Sequence, residues 1–152
     1  MARALGRIGD PTVVPALLLA LEEKDLFARF AVFTALNRIG TNAPSAWPAI
    51  ARGLKSDNAD LREGTIFALR ETYDPQLLTA LVALFRNQTN SPATRRTALE
   101  LLAALHHQKP AWKGQWWAYH PALKPSPEKT IAWAGTESVL ATLREGLRES
   151  DS

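Results

Sequence analysis

The sequence repeats itself at a fixed spacing of 33 residues. Arg29 is followed by Arg62 and then by Arg95, each 33 positions further along the chain. Two segments return at the same shift: Pro15-Ala16-Leu17 as Pro48-Ala49-Ile50, and Ala35-Leu36 as Ala68-Leu69. A period of this size is typical of stacked helical pairs, because no single pair can bury its apolar face alone. The repetition therefore predicts an all-α, right-handed α-α superhelix of about three to four helical hairpins.

The apolar spacing inside each repeat predicts the first helix of a hairpin. In the first repeat, a stripe with helical spacing is formed by Val13, Val14, Leu17, Leu18 and Leu21. Asp10-Pro11 precedes it, where a carboxylate can cap the helix and a first-turn proline loses no hydrogen bond. The same arrangement follows Asp74-Pro75, with Leu77, Leu78, Leu81, Val82 and Phe85.

The second helix of the first hairpin, near residues 26–39, is more apolar than one buried face requires. Its apolar residues are Phe27, Phe30, Ala31, Phe33, Leu36 and Ile39. We expect this helix to be covered on two sides, by its hairpin partner and by the neighbouring repeats.

Glycines mark the ends of the repeated units. Gly40 follows Ile39 and Gly9 follows Ile8, each where a helix would stop. The sequence predicts one domain, 1–152, with repeats at 2–40, 41–72 and 73–107, an irregular segment at 108–135 and a final helix at 136–149. The chain opens on what resembles the last turns of a helix, so we expect a piece of a longer array whose uncapped ends self-associate.

Charge and composition limit the kinds of partner. The net charge of +3 arises from 18 basic and 15 acidic side chains, which is too balanced for strong binding to a phosphate backbone. Nucleic acid is therefore not the expected partner. The sequence holds no long apolar run, so no membrane partner is expected. With no cysteine there is no redox indication of the compartment, and the localisation stays open.

The irregular segment 108–135 is rich in tryptophan and proline. It holds four of the five tryptophans of the chain, with prolines that prevent a continuous helix. The candidate binding residues are Trp112, Trp116, Trp117, Tyr119, His120 and Trp133. Because each indole loses favourable free energy when left in water, we expect the segment to pack on the helices. The alternatives are a platform that stacks on a sugar, a proline-rich peptide or a single-stranded base, and an interface with other domains of a larger protein.

The repeated arginines Arg29, Arg62 and Arg95 allow two interpretations. They could form a basic row for phosphate or an acidic peptide. We favour a structural role between adjacent repeats, because each begins an inner helix just after a turn, and the first two of these turns carry Asp25 and Asp57.

No catalytic, metal or cofactor site is predicted. His106 and His107 are adjacent at a helix end and would point about 100° apart, which is unsuitable for one metal ion, and His120 lies in the irregular segment. No serine stands in a nucleophile-elbow motif, and no glycine-rich phosphate loop occurs. We therefore predict that the chain is not an enzyme.

Residues 2–107 resemble the HEAT repeats of the PBS-lyase-like kind. The resemblance rests on Leu5-Gly-Arg-Ile-Gly-Asp-Pro11, Pro15-Ala-Leu17, Arg29-Phe-Ala31 and Ala35-Leu-Asn-Arg-Ile-Gly40. It implies the solenoid fold but says little about function, since such repeats serve as adaptors, scaffolds, chromophore lyases and DNA glycosylases.

The segment around Trp116-Trp117 and Trp133 is also similar to one in large bacterial multidomain proteins. In those proteins HEAT-like repeats accompany haem-binding or dehydrogenase-like domains and are commonly exported, which implies a non-catalytic part. The leading hypothesis is thus a scaffolding module of a larger protein that binds a protein, a peptide or another domain. The alternatives are a sugar or single-stranded nucleic-acid platform on the tryptophan segment and a HEAT-like enzyme.

Overall fold

The computed structural model describes residues 2–111 and 129–150, and these residues form eight α-helices. In chain order the helices are α1 (Ala2–Ile8), α2 (Val14–Leu19), α3 (Leu26–Asn42), α4 (Trp47–Ala51), α5 (Ala59–Leu69), α6 (Pro75–Arg86), α7 (Pro92–Ala104) and α8 (Thr136–Ser150). The pairs α2–α3, α4–α5 and α6–α7 are the helical hairpins. Short 3-10 turns extend α2 and α4 at both ends, the last of them at Arg52–Lys55.

The hairpins stack side by side in two layers. In the inner layer α3 packs between α1 and α5, and in the outer layer α4 packs between α2 and α6. The third hairpin continues the stack, because α7 packs on α6 and on the 3-10 turn at Arg52–Lys55. The prediction of an all-α stack of hairpins is confirmed. Among the described residues, the β-structure is one isolated antiparallel bridge between Gln108 and Ile131.

The apolar stripes predicted for the outer helices form the core. Buried residues of these stripes are Val14, Leu17, Leu21, Leu77, Leu78, Leu81 and Phe85, while Val13, Leu18 and Val82 pack partly buried against them. Each outer helix thus buries its apolar side chains against the second helix of its own hairpin and against the next hairpin.

Side-chain caps fix where four of the helices begin. Asp25 accepts a hydrogen bond from the Phe27 amide at 2.8 Å, and Asp74 accepts one from the Gln76 amide at 2.8 Å. Asn58 caps α5 through the Asp60 amide at 2.9 Å, and Ser91 caps α7. These caps satisfy amides that the helix itself leaves unpaired, so the turns between helices are set by local chemistry.

The second helix of the first hairpin differs from its prediction. Helix α3 is covered by α1, α2 and α5, and Val32, Ala35, Leu36 and Ile39 are buried. Its remaining face is open: Phe27 is 87% exposed and Phe30 is 54% exposed. The expectation that neighbours cover these two rings is wrong. The helices α1, α2 and α5 pack against other sides of α3 and leave the side that carries Phe27 and Phe30 open to solvent.

The final helix is held on the third hairpin. Val139 and Thr142 of α8 are buried, and Glu145 forms an ion pair with Arg86 of α6 at 2.9 Å. Just before α8, the backbone of Ile131 pairs with that of Gln108, which joins the two ends of the segment 109–130. None of the helices formed by residues 2–111 and 129–150 is long and apolar enough to cross a bilayer.

Candidate functional site

Three aromatic rings are in contact on the inner layer, and a fourth phenylalanine lies about one helical turn away. Phe27, Phe30 and Phe33 belong to α3, and Phe67 belongs to the neighbouring α5. The Phe30 and Phe33 rings meet edge to face at 5.0 Å between centroids, and Phe33 stacks on Phe67 at 5.4 Å. Phe27 follows the same side of the helix, because residues three apart are neighbours on a helix surface. We call these four residues the phenylalanine face.

The phenylalanine face is unusually exposed for apolar side chains. Phe67 is 41% exposed and Phe33 is half-buried, in addition to the open rings of Phe27 and Phe30. Single exposed apolar residues are ordinary on protein surfaces, but a contiguous aromatic group on adjacent helices is typical of an interaction surface.

Charged groups border the phenylalanine face at both ends of the helices. Arg29 is held near the start of α5, with its guanidinium 3.3 Å from the carboxylates of both Asp60 and Glu63. It also donates to the Asp60 carbonyl at 3.0 Å. At the other end, the Arg70 guanidinium lies 4.9 Å from the centre of the Phe67 ring. The rings are thus bordered on one side by two carboxylates that share the Arg29 cation, leaving one net negative charge, and on the other side by the Arg70 cation.

The other repeated arginines also bond to nearby backbone or helix ends. Arg62 donates to the Ser56 carbonyl at 2.7 Å, and Arg95 donates to the Phe85 carbonyl at 2.7 Å and pairs with Glu149. Of the three, Arg29 links the inner helices of two successive hairpins. Asp25 caps α3 rather than binding Arg29, and the exposed Asp57 lies in the turn before the capping residue Asn58.

Of the four tryptophans in the segment 108–135, Trp133 lies within the residues that the structure describes. Its indole N–H donates to the Leu105 carbonyl at 2.7 Å, and its ring meets Tyr73 edge to face at 5.6 Å. The Thr136 hydroxyl accepts from the Trp133 amide at 3.0 Å and donates to the His106 carbonyl at 2.8 Å. The ring therefore fastens the start of α8 to the end of α7. Trp112, Trp116, Trp117, Tyr119 and His120 lie outside the described residues.

Two further side chains secure the base of the same segment. The Tyr73 hydroxyl donates to the His107 carbonyl at 3.2 Å, and Lys109 pairs with Glu71 at 2.9 Å. The hydrogen bond and charge of Glu71 raise the pKa of Lys109 above its usual value. The residues just before position 112 are thus bonded to the connection between α5 and α6.

The histidines at the end of α7 are closer than the sequence suggested. Helix α7 ends at Ala104, so the angle of 100° between successive helical residues does not apply to His106 and His107. Their Nδ1 atoms meet at 2.7 Å. Within residues 2–111 and 129–150 there is no group of three or more histidines and carboxylates placed to hold a metal ion.

Sequence reasoning missed the phenylalanine face because it treated every ring of α3 as core. The available signal was the excess of apolar residues on α3, two of which stand where the next repeat has charged residues. Phe27 and Phe30 correspond, at the shift of 33, to Asp60 and Glu63. Positions that are charged in one repeat lie at the surface, so their aromatic counterparts lie there too.

Comparison with known proteins gives one result for the family. No curated protein matches the chain. Residues 1–70, which span α1 to α5, match the family model for HEAT repeats. HEAT repeats generally act as modules for protein interaction. The repeat spacing, the stacked hairpins and this match agree, and residues 1–70 form HEAT repeats.

Proposed function

We propose that the chain is a non-catalytic interaction module that binds a protein or peptide through the phenylalanine face. The observation that carries the proposal is the exposure of Phe27, Phe30 and Phe67 on two adjacent inner helices. Phe27 in particular is not needed to hold the hairpins together, since its side chain is 87% exposed.

The physical argument is that an aromatic side chain gains most from being covered by a partner. A phenylalanine buries about 150 to 250 Å² when it is fully covered, which is worth roughly 25 cal/mol per Å² before the costs of binding. A few such rings at the centre of an interface can supply most of its binding free energy. The partner that fits is therefore a segment with apolar anchors.

The charges around the phenylalanine face would favour one orientation of the bound segment. Asp60 and Glu63 lie near the N-terminal ends of the inner helices, and Arg70 lies at the C-terminal end of α5. A bound segment with a basic residue on one side of its apolar anchors and an acidic residue on the other complements this border. Charges at the edge of an interface favour one orientation more than they add affinity.

Replacing Phe27 by glutamate should weaken peptide binding without reducing stability. The new carboxylate would stand in the first turn of α3, where the helix dipole favours an acidic group, and it would remove the most exposed ring. Random peptides displayed on phage and selected on the wild-type protein supply the probe. The selected peptides should carry apolar anchors and lose about tenfold or more in affinity for the variant, as measured by fluorescence polarisation.

A matched control is Gln76→Glu, which places the same charge on an exposed residue in the first turn of α6, in the outer layer. This variant should bind the selected peptides as the wild type does. Thermal melts followed by circular dichroism should be unchanged for both variants. Selected peptides that bind Phe27→Glu and the wild type equally well would refute the proposed binding face, as would a library that yields no binder.

A further inference from the structure

The outer layer carries two grooves between successive outer helices. The larger, which we call the α2–α4 groove, has a volume of about 460 Å³ and lies between α2 and the 3-10 turn at Arg52–Lys55 that extends α4. Leu18, Leu19 and Leu61 are among its apolar lining. The smaller has a volume of about 200 Å³ and lies between α4 and α6, with Ala80, Ala83 and Leu84 on one wall. Both grooves are shallow and open to solvent, which suits the side chains of a partner better than an enclosed small molecule.

Two cations stand on the ridge between these grooves. Arg52 and Lys55 both line each groove, and no carboxylate is part of either lining. Both side chains are exposed, and within the described residues neither has an ion-pair partner. The nearest acidic residue in the sequence is Asp57, two positions after Lys55, and both residues line a third, smaller cavity.

The repeat spacing shows that these cations are not required by the fold. At the shift of 33, Arg52 corresponds to Leu19 and Lys55 corresponds to Glu22. The same structural positions therefore hold a leucine and a glutamate one hairpin earlier. By contrast, the repeated arginines of the inner layer keep their identity and bond to neighbouring helices or turns.

We propose that the α2–α4 groove is a second interaction surface, which docks an acidic amphipathic helix of a partner protein. Apolar side chains of that helix would fill the groove beside Leu18 and Leu19, and its flanking carboxylates would meet Arg52 and Lys55. A groove between two packed helices accepts the side-chain ridge of a third helix. This surface lies on the opposite layer from the phenylalanine face and does not depend on it.

A partner protein fits these observations better than a polyanion does. Strong nucleic-acid binding needs a track of many cations, whereas two cations here border a groove whose lining is mainly apolar. Attachment to an anionic membrane likewise rests on clusters of several lysines and arginines. An apolar stripe with acidic flanks matches both the groove and its charged edge.

The test uses two labelled helical peptides with the same leucine stripe at i, i+3, i+4 and i+7. One carries glutamates on the flanking positions and the other carries lysines. We expect the wild-type chain to bind the glutamate peptide, with an affinity that falls as salt is added, and to bind the lysine peptide much more weakly. The double variant Arg52→Glu/Lys55→Glu should lose about tenfold or more of this affinity.

The matched control is Arg96→Glu, which reverses a single exposed charge on α7, away from the groove. It should leave binding of the glutamate peptide unchanged, as should Phe27→Glu. Equal binding to the double variant, or no binding to the wild type, would overturn the proposal. Loss of binding in Phe27→Glu alone would place the peptide on the phenylalanine face and would also overturn it. Binding of anionic vesicles, but not of the peptide, through Arg52 and Lys55 would indicate a membrane partner and would also overturn the proposal.

Discussion

Substitution of Gly40 by alanine should destabilise the protein by about 3 kcal/mol, at the upper end of the cost of overpacking a core. A Cβ atom at this position of α3 would lie 2.4 to 2.5 Å from three ring atoms of Trp47. Trp47 is fully buried, so its ring has no free space to move into. The sign of the change in the free energy of unfolding is informative, because a glycine-to-alanine substitution inside a helix ordinarily stabilises the helix by about 1 kcal/mol.

Urea denaturation followed by circular dichroism measures this change directly. Gly64→Ala in α5 is the matched control, since its Cβ would meet the Leu21 side chain at 2.7 Å. A leucine methyl group yields more easily than a buried indole, so we expect a loss of only about 1 kcal/mol there. A Gly40→Ala protein that is as stable as the wild type, or more so, would show that α3 and α4 are not packed at this distance.

Replacing Trp133 by alanine should cost about 3 kcal/mol and loosen the final helix. The substitution removes a ring packed on Tyr73 and the donor that satisfies the Leu105 carbonyl. It also leaves open space beside Gly135, whose backbone lies under the indole. Trp133 holds the start of α8 against the end of α7. Relative to the wild type, hydrogen exchange of α8 amides should therefore accelerate more than that of α3 amides.

The conservative variant Trp133→Phe separates packing from hydrogen bonding. It keeps an aromatic ring near Tyr73 and loses the indole N–H, so we expect a cost of about 1 kcal/mol. Unfolding by urea measures both variants. If Trp133→Ala unfolds at the same urea concentration as the wild type, the ring has no structural role, and the hypothesis that it serves as an open binding platform gains support.

The stack of hairpins was predictable because two independent regularities agree in the sequence. The shift of 33 residues gives the size of the repeated unit, and the stripes of the outer helices give the side that is buried. Residues such as Leu17 and Leu81 are then core in any stacked arrangement, and both are buried. Because the same pattern occurs in several repeats, a helix boundary that is misplaced in one repeat does not change the predicted stack of hairpins.

The details that depend on contacts between repeats were less predictable. An apolar run on α3 does not say which rings face a neighbour, so Phe27 and Phe30 were assigned to the core. The partners of Arg29 lie about 31 to 34 residues away in the next inner helix, and the nearer Asp25 is already used as a cap. The structural role proposed for Arg29, Arg62, Arg95, Asp25 and Asp57 stays a prediction.

Self-association through the ends of the stack also stays a prediction. Ile8 at the end of α1 and Leu147 near the end of α8 are largely exposed. Ile8 corresponds in sequence to the fully buried Ile39, because Leu5-Gly-Arg-Ile matches Leu36-Asn-Arg-Ile. A position that is core in one repeat and exposed in another is open to a further hairpin or to a second copy of the chain.

The central claim is that the inner layer presents Phe27, Phe30 and Phe67 to solvent, while Phe85 lies in the core. The chain contains five phenylalanines, so incorporation of 4-fluorophenylalanine gives five fluorine resonances. The change in each chemical shift between H₂O and D₂O reports how much water reaches that ring. We predict the largest change for Phe27, smaller changes for Phe30 and Phe67, and almost none for Phe85, which is 2% exposed. A Phe27 resonance as insensitive to solvent as that of Phe85 would contradict the claim.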